Sequence, residues 1–310
     1  MEGDKKRPLL VLVGQTAVGK TALSLTLAQR FQGEIVSADS RLFYRGMDIG
    51  TAKPTLAEQT AVPHHFIDIC DPDQTLTLAE YQEQAYATIN AIQQRGRLPI
   101  LVGGTGQYIL AVVEGWGIPR VPPQPHLRHA LEQLDGAELH RWLSQLDPEK
   151  GEQIHPNNIR RVVRALEVTL VSGRPISQLQ KKKPPPYALC WLGLYREREA
   201  LYERIDRRVD QMMEAGLLAE VKGLQVAGYG RNLPSMSGIG YRQLLDHLAG
   251  ELTLAEAVER IKFETHRFAR QQDTWFRRDD ARIAWFDVGS AGADTAATEM
   301  VSNFFEKRNC

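Results

Sequence analysis

The chain has 310 residues, with 38 Lys and Arg against 38 Asp and Glu, and is 43% hydrophobic and 25% charged. That composition excludes an intrinsically disordered chain, and a formal net charge of zero means that any basic footprint for a nucleic acid has to be local. No apolar run approaches the ~18 residues of a membrane span, Met1 to Lys6 lead into no signal-peptide pattern, and the scattered Cys70, Cys190 and Cys310 offer neither a disulfide framework nor a CxxC metal site, so a reducing cytoplasm is expected.

In chain order the first elements read as α/β. Pro8 to Val13 is a short apolar run ending in Gly14, the pattern of a buried parallel strand, and Thr21 to Arg30 has helical spacing. Glu34-Ile35-Val36-Ser37 is a second strand, with Asp39 just past its carboxyl end. A helix from about Leu78 to Arg95 precedes the strand Leu98 to Val102, which runs into Gly103-Gly104-Thr105-Gly106 and a further helix. Alternating strands and helices predict a parallel sheet covered by helices on both faces. Prolines from Pro119 to Pro125 and the tract Lys181-Lys182-Lys183-Pro184-Pro185-Pro186 bracket segments with only helical patterning, including Ile159 to Val171. Residues 120–187 are therefore read as an all-helical insertion, with the prolines as hinges, in a discontinuous core of residues 1–119 and 188–310. A strand returns at Ala188 to Leu194. Arginine-rich helices follow to about Arg278, then a strand near Ile283 to Phe286 and a C-terminal helix.

Gly14-Gln15-Thr16-Ala17-Val18-Gly19-Lys20-Thr21 fits G-x-x-x-x-G-K-[ST] in its strand–loop–helix context. Glycines let successive N–H groups turn toward phosphate oxygens, the helix adds its positive end, Lys20 reaches the terminal phosphates and the Thr21 hydroxyl is a usual Mg²⁺ ligand. Many nucleotide-hydrolysing relatives of this loop end another core strand in a metal-holding Asp. Here that strand ends in Gly103-Gly104-Thr105-Gly106, which weakens ATP hydrolysis and leaves room for a diphosphate substrate. Asp39 is the remaining carboxylate at the catalytic end of the sheet, either a reacting group or a turn and cap residue.

Beside the P-loop stand Ser37-Ala38-Asp39-Ser40-Arg41, Tyr44-Arg45-Gly46-Met47-Asp48-Ile49-Gly50-Thr51-Ala52-Lys53-Pro54 and Val102-Gly103-Gly104-Thr105-Gly106. Further along come His155-Pro156-Asn157-Asn158, Arg161, Arg164-Ala165-Leu166-Glu167, Gly240-Tyr241-Arg242-Gln243 and Thr274-Trp275-Phe276-Arg277. In this order, from about residue 8 to 288, they resemble the bacterial tRNA dimethylallyltransferase family. The resemblance implies transfer of a dimethylallyl group from dimethylallyl diphosphate, with Mg²⁺, to N6 of adenosine 37 of tRNA. It assigns Asp39 the part of general base, places Thr105 beside the target nucleotide, puts Arg208 where the family has an important arginine, and implies a tRNA channel meeting a diphosphate channel at Asp39. It further implies tRNA contacts from Ser40, Arg41, Leu42, Arg128, Arg160, Arg161, Arg164, Gly240, Tyr241, Arg242, Arg270 and Arg277, and a monomer with no membrane partner. Two departures stand out: Gln15 where Pro is usual, a change of loop stiffness, and Gln271 where a basic residue is common, a change in one tRNA-facing contact.

The residues alone leave alternatives. Arg208 can be a helix-surface partner of a neighbouring acid. Arg260, Arg267, Arg270 and Arg277, spaced to share one helix face, and Arg160, Arg161 and Arg164 can be solvated salt-bridged faces. His64-His65 reads as strand-edge packing rather than a metal pair. Two other functions use the same loop: a small-molecule or nucleotide kinase with ATP, and a non-catalytic RNA-binding protein, against which Lys20, Thr21 and Asp39 argue.

Overall fold

The period of two in the first apolar run places its side chains in two cores. In β1 (Arg7–Gly14), Leu9, Val11 and Val13 enter one hydrophobic cluster while Leu10 and Leu12 enter another. The computed structural model describes residues 6–183 and 187–309, with side chains through Glu306. Met1 to Lys5, the Pro184 to Pro186 part of the expected hinge and Cys310 lie outside the described residues.

After β1 come α1 (Lys20–Arg30), β2 (Gly33–Ser37), α2 (Leu56–Ala61), the two-residue edge strand β3 (His64–His65), α3 (Leu78–Gln94), β4 (Leu98–Gly103) and α4 (Gly106–Val113). The helical stretch holds α5 (Pro125–Glu132), α6 (Gly136–Leu146), α7 (Pro148–Gln153), α8 (Ile159–Ser172) and α9 (Ile176–Leu179). Then follow β5 (Tyr187–Tyr195), α10 (Arg198–Glu214), α11 (Leu217–Val226), α12 (Tyr241–Leu248), α13 (Leu254–Gln272), β6 (Ala284–Asp287) and α14 (Ala293–Asn309). The six strands form one sheet in the order β3-β2-β4-β1-β5-β6, every pair parallel. Helices α3 and α4 cover one face through Tyr81, Ala85, Ile89, Ile109 and Val112. The other is covered by α1, α10 and α14 through Leu23, Leu27, Leu201, Ile205, Ala297 and Val301. The expected α/β sheet clothed on both faces is what forms. A third core, from Tyr44 and Met47 to Val221, Leu244 and Ile261, joins α10 to α13 to the loop after β2.

Capping boxes fix three helix starts, of which the sequence reading placed that of α3. Thr55–Glu58, Thr77–Glu80 and Thr253–Glu256 each exchange side-chain and backbone hydrogen bonds at the first turns of α2, α3 and α13. The end of α13 differs from the reading of a helix to Arg278. The Trp275 and Phe276 amides both turn back on Gln272 O, at 3.1 and 3.4 Å, because Phe276 has to enter the core. Arg277 is therefore off the helix and does not share a face with Arg260, Arg267 and Arg270.

The chain divides into two units, Met1–Val113 with Pro186–Cys310, and Glu114–Pro185. The second starts ahead of residue 120 because its two chain ends already pair: Lys183 N donates to Gly115 O at 2.8 Å, and a Cβ on Gly117 would lie 2.5 Å from Leu179 O. Its own core, Leu131, Leu139, Leu143, Val162, Leu166 and Ile176, is made by the amphipathic faces of α5, α6, α8 and α9. No helix among the described residues is long and apolar enough to cross a membrane.

Candidate active site

The P-loop leaves β1 at Gly14, whose φ is 149° and where a Cβ would sit 2.5 Å from Leu194 O of β5; no other residue fits there. Within the loop, Val18 N donates to Gln15 O and Thr16 N to the Gln272 side chain. The amides of Ala17, Gly19, Lys20 and Thr21 have no acceptor among the described residues and line up at the N-terminus of α1, where the helix end favours an anion. Lys20 Nζ donates to Gly14 O at 2.9 Å and Gln15 O at 2.7 Å. Burial pulls the Lys20 ammonium down to about 8; the nearby Asp39 carboxylate opposes that shift and Arg208 adds to it. The loop is fastened from outside by Arg204 Nε on Ala17 O at 3.1 Å, and by Gln15 Nε2 on Ala269 O and Asp273 Oδ2 at 3.3 and 3.1 Å. Gln15 thus gains side-chain anchors that a proline could not make.

Asp39 follows β2, whose register beside β4 brings the loops after both strands to the P-loop end of the sheet. Its Oδ1 accepts the Arg41 amide at 3.0 Å, so it does serve the turn. It also lines two cavities. The first, about 610 Å³, is walled by the P-loop residues Thr16, Ala17, Gly19, Lys20 and Thr21 and by Lys53, Arg204 and Arg207. The second, about 310 Å³, is walled by Ser40, Arg41, Thr105, Gly240, Tyr241 and Phe268, among others. Asp39, Arg208, Thr16, Ala17 and Thr51 belong to both, so the cavities meet there. Leu42 lies on the first.

Arg208 makes no hydrogen bond or ion pair with any described residue; the helix-surface pairing open to it from sequence does not occur. Burial lowers its pKa against the pull of Asp39, and a guanidinium keeps its charge through such a shift. The cavity junction therefore holds a carboxylate and a guanidinium, with the Lys20 ammonium on the wall of the first cavity beside them, and no partners among the described residues fully satisfy these charges. Gly104 and Gly106 are glycines for packing: a Cβ would lie 2.2 Å from Gln272 Nε2 at the first and 2.3 Å from the Trp275 ring at the second.

The other candidate residues separate into groups. Tyr241 is 1% exposed and donates to Glu220 Oε1 at 2.6 Å. That carboxylate also accepts the Asp48, Ile49 and Gly50 amides, so the tyrosine hydroxyl serves the wall. Arg41 is fixed by Pro234 O and Ser235 O, Arg242 pairs with Glu264, Arg270 bonds Tyr202 OH at 2.7 Å, and Arg277 pairs with Asp279 at 2.8 Å in the open. In the second unit, Arg128 and Arg164 both close on Glu167, whereas Arg160 and Arg161 are exposed with no ion pair among the described residues. His64 and His65 form the sheet edge, His65 on Glu34 at 2.7 Å and His64 on Val62 O. Sequence reasoning missed Arg204 and Gln272. The signal for Arg204 was its i,i+4 spacing from Arg208, which puts both on one face of α10.

A family model described as IPP transferase matches residues 42–279. A tRNA dimethylallyltransferase of Roseiflexus sp. is 56% identical over 275 residues, 87% of this chain and 90% of that protein. One of Herpetosiphon aurantiacus is 55% identical over 283 residues, 90% of each. Among solved structures, a tRNA isopentenylpyrophosphate transferase of Bacillus halodurans aligns over 98% of both chains at 42% identity with a TM-score of 0.74. A eukaryotic dimethylallyltransferase acting on tRNA aligns with a TM-score of 0.84 at 28% identity, over 97% of this chain and 80% of that one. With its P-loop sheet, its cavity junction at Asp39 and these matches over most of its length, the chain belongs to the IPP transferase family.

Proposed function

We propose that the chain transfers a dimethylallyl group from dimethylallyl diphosphate to N6 of adenosine 37 of tRNA. The observation that carries this reading is the position of Asp39, on the wall of the P-loop cavity and of the cavity bounded by Thr105 and the Gly240–Tyr241 turn. In the reaction the C1–O bond of the allylic diphosphate breaks, the diphosphate leaves with the electron pair, and N6 bonds to C1. The proton that N6 loses passes to the Asp39 carboxylate, which also aims the nitrogen. Lys20, Arg208 and the four open loop amides stabilise the charge gathering on the leaving diphosphate. The adenine has to leave the anticodon-loop stack to enter the second cavity.

Mg²⁺ fits the residues present as an ion carried largely by the diphosphate. Thr21 lines the first cavity, and its hydroxyl makes no hydrogen bond among the described residues. These residues contain no cluster of three His, Cys, Asp or Glu to cage a metal. The Thr21 hydroxyl would hold it together with phosphate oxygens and water, and a bound Mg²⁺ would further neutralise the leaving diphosphate.

The test is incubation with dimethylallyl diphosphate and unmodified tRNA, followed by mass spectrometry of the nucleosides. One adenosine per acceptor tRNA should gain a dimethylallyl unit. Folded enzyme that leaves all adenosines unchanged, or that moves label from the γ-phosphate of ATP to a small molecule, refutes the reading.

A further inference from the structure

The backbone amide of Thr16 lies inside the phosphate loop, yet it does not face the cavity. It donates to Gln272 Oε1 at 2.7 Å, far shorter than the 3.4 Å from Val18 N to Gln15 O within the loop. Gln272 Nε2 in turn donates to Gly104 O at 3.0 Å, and the residue is 5% exposed. One buried side-chain amide therefore ties the loop after β1 to the loop after β4. We infer that Gln272 is a positioning residue for the diphosphate site: it draws the Thr16 amide away and sets the turn that aims the Ala17, Gly19, Lys20 and Thr21 amides inward.

The surroundings are shaped to this side chain. A Cβ on Gly104 would sit 2.2 Å from Gln272 Nε2, so the space beside β4 is shaped to the glutamine. Neighbouring contacts repeat the same fastening, with Gln15 Nε2 on Ala269 O and Asp273 Oδ2, both from the segment that carries Gln272. Glutamine suits the task because one planar group offers an acceptor and a donor about 2 Å apart without placing a charge beside the phosphates. An unfastened loop has to be ordered by the ligand itself, and that ordering subtracts from affinity.

The inference rests on the reading of the P-loop as a diphosphate site, and inorganic pyrophosphate tests the two separately. Wild-type protein that does not bind pyrophosphate by titration calorimetry removes that reading. If the wild type binds, Gln272→Met, which keeps length and removes both hydrogen bonds, should bind pyrophosphate about tenfold more weakly. Its KM for dimethylallyl diphosphate should rise while its KM for tRNA is unchanged. Gly104→Ala displaces the same side chain from the other side, so it should weaken pyrophosphate binding similarly, and the double variant should be no worse than either single one. Equal affinity of Gln272→Met and wild type, or additive losses in the double variant, overturns the inference. Where Gln272→Met does not fold, Gly104→Ala alone decides: undiminished pyrophosphate affinity overturns it.

Discussion

Two places in this chain set arginines against a carboxylate, and they have opposite fates. In the helical unit Glu167 is 0% exposed; Arg128 grips both oxygens at 2.8 Å, Arg164 meets Oε2 at 2.5 Å and the Gln124 amide adds a fourth bond. Burial on its own would raise that carboxyl, but the bonds from Arg128, the Gln124 amide and Arg164 outweigh it and hold the pKa at about 2. At the cavity junction Asp39 and Arg208 feel each other's charge but make no ion pair, and among the described residues only Oδ1 of Asp39 is engaged, by the Arg41 amide. A closed cluster has its free energy realised in folding and has none left for a ligand. An open one leaves charge to be satisfied by whatever enters.

The largest expected effect lies at the open cluster. Asp39→Asn keeps the shape and the turn bond to Arg41 while removing the basic oxygen, so turnover should fall by about 10²–10⁴ with pyrophosphate affinity preserved. A folded variant within about threefold of the wild-type rate reduces Asp39 to its turn and erases the contrast with Glu167.

Next comes the closed cluster. Glu167→Gln leaves two guanidiniums facing a neutral amide and should destabilise the helical unit by about 3 kcal/mol, read from hydrogen exchange of the Ile159–Ser172 amides. The sign in pH follows from the depressed pKa. The carboxylate's contribution is complete above its ordinary value of 4.5 and is lost as pH falls from there toward 2, so protection in α8, corrected for intrinsic exchange, should decline over that window. Protection that is unchanged there would show that the cluster contributes nothing to folding.

A smaller effect concerns Lys20. With its pKa lowered from 10.5 to about 8, the ammonium is present below pH 8 and lost above it, so pyrophosphate affinity should weaken by at most about tenfold per unit above pH 8. Between 8 and 10.5 the unfolded chain binds the proton that the folded one does not, and this group alone makes stability rise with pH. Calorimetric titrations across that range check both signs.

The smallest separates arginines that sequence had grouped. Arg161→Ala should leave stability unchanged and lower the slope of log K for tRNA against log salt by about one, as expected for a single phosphate contact. Arg128→Ala should do the reverse, costing stability and sparing the slope. Equal slopes for wild type and Arg161→Ala would remove Arg161 from the tRNA-binding set.

Much of the site is legible in the sequence because it is local. The run from Gly14 to Thr21 contains its own glycines, lysine and helix start, and Asp39 follows its strand by two residues. Arg277 was misplaced because helical spacing persists past Gln272, and only the burial of Phe276 turns the chain there. Arg128 and Arg164 were read with Arg160 and Arg161 because charge in a sequence does not say what it faces; Glu167 decides that from 39 and 3 residues away.

The sequence by itself determined the parallel sheet, the phosphate loop and the family, since alternation, glycine spacing and ordered motifs are properties of neighbours along the chain. Tertiary structure alone decided which charges stay open and which close. It brought Arg208 to Asp39, gave Glu220 to Tyr241 and the Asp48–Gly50 amides, and set Gln272 between Thr16 and Gly104 across more than a hundred residues, at separations of 256 and 168. The physical reason is that a buried polar group takes whatever partner packing delivers, and at such separations the chain pattern carries no record of which one that is.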